Sequence, residues 1–345
     1  MANKILVTGA GSGVARSVID SLTVWGNGSY DVFTCDYYPL CHGLLRNDVE
    51  KGFILDKNYP TINQIKKIVE KHDIEMIFTT SDREMLAYSR SGGYLNDKVC
   101  GSDPLNIIFA RNKFLLQKNL ELLGLPFIKS IEAIELHKSS EKMFCNKTII
   151  KPKRGSGSNG CFLVLGTKEY IDKVLDFINH SSNLEEYVVQ EYIEGEEFTV
   201  NLAISENGNY IDGIYLKRHM KEFPVTEIRQ ISHKDIIARE SVSMPDVVDY
   251  CYSICRKLKL VGPVNLQGKI DKEGKVFIFE INPRFCGSTS FSAYCGMNGP
   301  ELMYRYFFNN KVMLVNSNHL YNKICLLPNY ECFYTHNDVE NICKP

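Results

Sequence analysis

The stretch 262–290, GPVNLQGKIDKEGKVFIFEINPRFCGSTS, is the part of the chain that most restricts its fold. It reads as two strands, 264–270 and 275–281, joined by a polar turn at 271–274. With Asp271 opposite Gly274, antiparallel pairing sets Asn265 against Glu280 and Gln267 against Ile278. Side chains alternate along a strand, so Asn265, Gln267 and Glu280 share one face and Asn282 continues it. Amide oxygens and a carboxylate converging there suit a hard cation such as Mg²⁺, with phosphate oxygens and water completing its octahedron. Arg284, two residues on, would reach an anion held by that cation. Read alone, the stretch is equally an ordinary hairpin with its polar face in solvent. The choice rests on what precedes it.

The chain opens on a short apolar strand, 4–8, followed by Gly9-Ala10-Gly11-Ser12-Gly13 and a helix through Leu22. A strand, a glycine-rich loop and a helix in that order present backbone N–H groups at a helix N-terminus, where an anion would bind. The next strand, 32–35, ends at Asp36, the place of the ribose-binding acid in a dinucleotide fold. Val14 stands where G-x-G-x-x-G, counted from Gly9, needs its third glycine. The fingerprint is incomplete, and on this region alone a nicotinamide-dependent, short-chain-type reductase is a live reading. A helix over 60–72 carries Ile62, Ile65, Ile68 and Val69 on one face and leads to a strand, 76–80. Asp82 and Glu84 then open another helix and read as caps. Residues 1–110 therefore predict a small doubly wound parallel sheet.

A helix over 111–123 places Phe114, Leu116, Leu120 and Leu123 inward and is closed by Gly124. Lys113 lies in its first turn, where a cation works against the helix dipole, a hint of an anionic partner. The strand 148–152 ends in Lys151-Pro152, and the loop KRGSGSNG (153–160) joins it to a second strand, 161–165. Such a loop is either a surface hairpin or a flap of N–H and hydroxyl donors folding over a polyphosphate, and Lys151 beside it favours the flap. It is not a Walker loop, because no G-K-[ST] opens a helix. The run 187–198 is an apolar strand end followed by acids. It offers backbone groups to a base edge and a carboxylate to ribose hydroxyls, or else is an acid-rich surface turn.

At 345 residues the chain has room for two or three domains, each with a core. A formal net charge of −1 makes no electrostatic case for nucleic acid or an anionic membrane. No apolar run approaches the ~20 residues of a membrane span, and the opening lacks a signal-peptide pattern. The 12 cysteines are scattered, with no CxxC pair and no zinc spacing, and so read as reduced core thiols of a cytoplasmic protein.

Taken in order, Lys113, Lys151 with its glycine-rich loop, the E-x-I-x-G-x-E run and N-x-Q…E-x-N-P-R resemble the ATP-grasp superfamily. The resemblance is to the ATP-binding halves of the carbamoyl-phosphate synthase large subunit and to stand-alone amide-forming ligases related to it. It covers about residues 1–300. It implies an α/β chain: a doubly wound, Rossmann-like pre-ATP-grasp domain over 1–110, then two α+β subdomains clasping nucleotide. These would be a lid over 111–190 and a core with the metal site over 191–315, with 316–345 an extension without an assigned role.

By that similarity Lys113 and Lys151 contact the nucleotide phosphates, and Ser156, Gly157, Ser158 and Gly160 belong to the phosphate-covering loop. Glu191, Tyr192 and Ile193 face the adenine edge, with Glu197 at the ribose. Gln267, Glu280 and Asn282 hold Mg²⁺, for which Mn²⁺ would substitute, and Arg284 joins Lys151 at the transferring phosphoryl. The segment 217–236, near the acceptor in relatives, matches no pattern; Arg218, His219, Arg229 and His233 are its candidates.

The implied reaction is ATP-dependent carboxylate–amine ligation through an acyl phosphate, releasing ADP and phosphate. The partners are a small carboxylic acid and an amine, and a homodimer is allowed. A carbamoyl-phosphate-synthase-like kinase of a small carboxylate is an alternative beside the reductase. The tandem synthase has two such units and a glutaminase, whereas this chain has one unit and no glutaminase.

Overall fold

Short, continuously apolar strands belong in a parallel sheet covered on both faces. β1 (Asn3–Thr8), with Ile5, Leu6 and Val7 fully buried, is one. It pairs in parallel with β2 (Tyr30–Asp36), and β3 (Lys51–Ile54) and β4 (Met76–Phe78) complete the order β3-β2-β1-β4. The computed structural model describes residues 3–28, 30–90, 95–138, 147–155, 157–221, 228–309 and 318–327.

Asp36 does not stand free for a ribose. Its Oδ2 accepts the Gly11 N–H at 2.8 Å and its Oδ1 the Tyr38 N–H at 3.0 Å, so the carboxylate braces the glycine-rich loop. Glu84 caps its helix as expected, its carboxylate accepting from the Ser81 backbone N–H, and it is a cross-brace as well. Its carboxylate accepts from Thr8 Oγ1 at 2.9 Å and Ser81 Oγ at 3.0 Å, while Ser81 Oγ caps the helix by accepting the Glu84 N–H. Burial pushes the Glu84 carboxyl upward.

The expected helix over 111–123 runs over Lys113–Leu122, and a separate helix, Pro104–Arg111, ends just before it at Asn112. The Asn112 side chain accepts the N–H groups of Phe114 and Leu115, a cap worth about 1 kcal/mol. The helix therefore starts at Lys113, and its buried face carries Lys113 and Gln117 with Leu116 and Leu120. Leu123, expected inside, is 39 % exposed.

Four strands follow: β5 (Ser130–Glu132), β6 (Lys147–Pro152), β7 (Cys161–Leu165) and β8 (Tyr187–Glu191). They pair antiparallel, and the helix Lys168–Ser181 packs Ile171, Val174, Leu175 and Ile178 against Ile150, Val164 and Val189. The chain then runs through β9 (Glu196–Ile204) and β10 (Tyr210–Met220) before β11 (Ile228–Ile231) returns to the smaller antiparallel sheet, the one expected as the lid, beside β7. β12 (Ile236–Ser241), β13 (Gly262–Ile270), β14 (Val276–Asn282) and β15 (Ile324–Leu326) complete a six-stranded sheet of order β14-β13-β9-β10-β12-β15. The strand exchange through β11 ties the two antiparallel sheets together.

The two faces of the large sheet serve different purposes. One packs Phe198, Val200, Leu202, Leu266 and Ile281 against Val247, Cys251, Ile254 and Cys255 of the helix Pro245–Lys257. At about 1.5–3 kcal/mol per fully buried large aliphatic side chain, this core holds the sheet rigid. On the other face Ile214 and Leu216 pack with Phe285, Phe291 and Met303 against Val18 and Leu22 of the first unit. The rest of that face is polar, and it carries the site.

Candidate active site

The hairpin β13–β14 forms, but its register differs from the one expected. Asp271 N–H donates to the Lys275 carbonyl, so the turn spans five residues, and a bulge follows between Gln267 and Gly268. Gln267 therefore faces Glu280 and Asn265 faces Asn282, while Ile278 pairs with Gly268 and turns into the core. Only glycine fits at 268: a Cβ there would lie 2.5 Å from the Phe277 carbonyl oxygen and 2.6 Å from the Phe198 ring. The expectation of a shared face survives the change, because the bulge moves the pairing of both amides by the same step.

On that face the amide hydrogens point inward. Gln267 Nε2 donates to Asn265 Oδ1 at 3.0 Å, and Asn282 Nδ2 donates to Glu280 Oε1 at 3.0 Å. Asn265 Nδ2 in turn donates to Thr199 Oγ1 and Asn201 Oδ1. This leaves Gln267 Oε1 and the Glu280 carboxylate for the cleft that both line. Among the described residues no group of three or more His, Cys, Asp or Glu is assembled. The oxygen set is one carboxylate with amides, the hard-donor chemistry that Mg²⁺ accepts when phosphate oxygens supply the remaining charge. The residues present fit such an ion.

Arg284 is buried and turned toward its own loop. Its Nη1 donates to the Phe285 carbonyl at 2.8 Å and its Nη2 lies 3.4 Å from Asn282 Oδ1.

Opposite the hairpin, the lid supplies cations. Lys113 Nζ lies 3.9 Å from Glu280 Oε2 and donates to the Gly155 carbonyl at 3.4 Å, so the anionic partner hinted at by its place in the helix is Glu280. Lys151, 7 % exposed, lies over the Phe279 ring at 5.2 Å. Burial raises the Glu280 carboxyl, but Lys113, the Asn282 amide, Lys151 and Arg218 together hold it below its ordinary value. Burial first, and then Lys113, pushes Lys151 down to about 8. Lys153, by contrast, pairs with Glu132 away from the cleft.

Lys151 gives a pH signature. Its unfolded value is about 10.4. Between pH 8 and that value the unfolded chain binds the extra proton, so the ligand-free protein gains stability as pH rises across this window. A bound polyphosphate would restore the charge. Affinity for MgADP is therefore expected to fall as pH rises through about 8, approaching tenfold per pH unit. Calorimetry in buffers of different ionisation enthalpy should show proton uptake near pH 9, and Lys151→Met should abolish both effects.

The cleft between lid and large sheet encloses about 680 Å³. Its apolar walls include Ile128, Ile149, Leu163 and Phe279. Gly155, Ser158 and Asn159 of the loop reach it; Ser156 lies outside the described residues. Gly157 and Gly160 take φ of +72° and +71°, and Ser158 takes +56°, left-handed backbone that favours glycine, and neither Gly157 nor Gly160 lines the cleft. The Gly157 carbonyl meets His233 Nδ1 at 3.2 Å.

Glu191, Tyr192, Ile193 and Glu197 all line the cleft. The Glu191 and Tyr192 amides are spent on the Lys129 and Lys147 carbonyls, whereas the Ile193 amide donates to nothing among the described residues. Tyr192 is a wall rather than a donor, its ring between the ammonium groups of Lys147 at 4.8 Å and Lys269 at 4.1 Å. Glu197 accepts from Arg218 Nη1 at 3.1 Å. Of the unmatched segment, Arg218, His219 and Arg229 line the cleft; His219 pairs with Glu240 and Arg229 with Asp235.

Sequence reading missed Lys269 and Arg239. A basic residue at an inward position of an otherwise apolar strand is the available signal for each.

A nucleotide-sized cleft between an antiparallel lid and a polar sheet face, behind a Rossmann-like unit, defines the class. That class is the fold shared by the solved ligases, synthetases and biotin carboxylases to which the chain is similar. More particularly, residues 183–321 match the family model described as ATP-grasp in the biosynthetic pathway with Ter operon. No curated protein matches the sequence.

Among solved structures, L-amino acid ligase from Bacillus licheniformis is 14 % identical with a TM-score of 0.64, covering 88 % of this chain and 73 % of its own. The biotin carboxylase domain dimer of 2-oxoglutarate carboxylase from Hydrogenobacter thermophilus, with MgADP, ADP and bicarbonate, is 13 % identical with a TM-score of 0.68, covering 94 % and 73 %. N5-carboxyaminoimidazole synthetase from Staphylococcus aureus, complexed with ADP, is 14 % identical with a TM-score of 0.63, covering 94 % and 81 %. At these identities the likeness is one of fold.

Proposed function

We propose that this chain is an ADP-forming carbon–nitrogen ligase that uses MgATP to activate a small carboxylic acid for attack by an amine. The observation that carries the reading is the meeting of Lys113, Lys151 and an ionised Glu280 at one end of the cleft, beside the Gln267 and Asn282 amides. Gln267, Glu280 and Asn282 would hold Mg²⁺, which neutralises charge on the terminal phosphates. Lys113 and Lys151 bind and orient the phosphoryl groups, and the loop 155–160 covers them and excludes water from an acyl phosphate. Ile193 and the apolar walls receive the base, and Glu197 the ribose. Arg284 keeps the Asn282 loop in place and closes on the phosphoryl when substrate is present.

An L-amino acid ligase, a biotin carboxylase domain in complex with MgADP and a synthetase complexed with ADP, all on the same fold, support this reading. The reductase reading lost its acid when Asp36 proved to be tied to Gly11. Gln267 at the first metal position keeps the carbamoyl-phosphate-synthase-like choice. No helix among the described residues is long and apolar enough to cross a membrane, and the free cysteines accord with a reducing cytoplasm.

The test is a screen of carboxylic acids against amines for ADP formation. A pair that raises ADP release together, with neither sufficient alone, is the expected result. ADP release that no acid or amine changes, or NADPH binding without MgATP binding, would overturn the reading.

A further inference from the structure

Strands β10 and β12 pair antiparallel with Arg218 directly opposite Arg239. Two guanidinium groups thus stand side by side on the sheet face that also carries Gln267 and Glu280. Like charges facing each other across a ladder are unfavourable. Only one of the two is compensated: Arg218 donates to Glu197, while the Arg239 side chain makes no ion pair or hydrogen bond among the described residues. The Nε–H of each is buried without an acceptor. Buried donors are rarely left so, and here two lie adjacent.

Burial, and then Arg218 beside it, disfavours the charged form of Arg239. Arginine does not deprotonate in proteins, so the charge remains and its cost with it. The balance is two cations against one carboxylate, a deficit of one negative charge. A planar monoanion with two acceptor oxygens matches both the charge and the fork geometry of guanidinium. The place is also suitable, since Arg218 lines the cleft and helps to hold the Glu280 carboxyl down. The nucleotide phosphates already have Lys113 and Lys151.

We propose that Arg218 and Arg239 together hold the carboxylate of the acceptor acid beside the site of phosphoryl transfer. The assignment rests on the ligase reading above, and its test separates the two.

Protein saturated with MgADP is titrated at constant ionic strength with sodium acetate, sodium succinate and sodium phosphate, and unfolding midpoints are followed. The wild type should show a saturable rise with a carboxylate. Arg239→Met should weaken that response at least tenfold, yet raise the midpoint of the ligand-free protein, because an uncompensated buried charge is gone. Arg239→Lys should restore part of the response, and Lys272→Gln, a charge loss at an exposed turn, should leave it unchanged.

The proposal is overturned if the wild type responds to no carboxylate or to phosphate only, or if Arg239→Met keeps the response or lowers the ligand-free midpoint. Failure of MgADP itself to bind the wild type would instead strike the ligase reading; the ligand-free titration with the same anions would then still decide whether the arginine pair takes a carboxylate.

Discussion

Glu280→Ala is expected to lower ATP turnover by about a thousandfold or more, the scale of a lost metal-binding carboxylate at a phosphoryl-transfer site. Glu280 is the only carboxylate among the three proposed Mg²⁺ ligands, and amide oxygens alone hold a hard cation poorly. The substitution also removes the negative charge that faces Lys113 and moderates the Lys113–Lys151 repulsion. MgADP binding should weaken far more than metal-free ADP binding, since the freed lysines still attract phosphate. The fold should persist, because the hairpin is held by Leu266, Ile278 and Ile281 on its other face. Steady-state ADP release, with circular dichroism as the control, checks this. Turnover within tenfold of wild type at ordinary Mg²⁺ would remove the hairpin from the chemistry.

The second large effect belongs to Lys151. Lys151→Met should raise the barrier by about 2–4 kcal/mol, roughly a hundredfold or more in rate, because a positioned charge opposite the developing phosphate charge is lost. Lys153→Met should cost little in rate, since that ammonium is paired with Glu132 outside the cleft. The comparison is informative because the two residues differ by two positions on one strand end and carry the same charge. Methionine at 151 also keeps the packing against Phe279, so a stability loss cannot account for the difference. Equal, modest losses in both variants would mean that the lysines form only a diffuse basic surface.

Much of this arrangement is legible in the sequence, for physical reasons that vary by element. The proposed metal face is legible because alternation along a strand puts Glu280 and Asn282 on one face of their strand and Gln267 on one face of its own, and the expected and observed pairings of Gln267 differ by two residues, which keeps all three together. The register itself is not, because the turn has five residues and the bulge at Gly268 depends on the Phe198 ring, contributed by a strand 70 residues upstream. Lys113 is legible as a cation in an unfavourable helical position, and its partner proved to be Glu280. Asp36 misleads, since the same strand-end acid that would bind a ribose serves here to hold a glycine-rich loop. Segment 217–236 resists reading because its residues serve two sheets: β10 stays with the large sheet, β11 leaves for the lid, and β12 returns. No local periodicity reports that excursion. The Arg218–Arg239 pair arises from the same crossing, since only the β10–β12 register brings the two residues together.

The most direct test of the central claim follows the carboxyl oxygens. In the proposed reaction the lysines and the metal face serve the terminal phosphoryl group, so the carboxylate should attack the γ-phosphorus and leave one oxygen there when the amine displaces phosphate. A substrate acid labelled with ¹⁸O in both carboxyl positions is turned over with ATP and amine, and the products are examined by mass spectrometry. The account predicts ADP and inorganic phosphate carrying one heavy oxygen per turnover. AMP with pyrophosphate, or ADP with unlabelled phosphate, would contradict it.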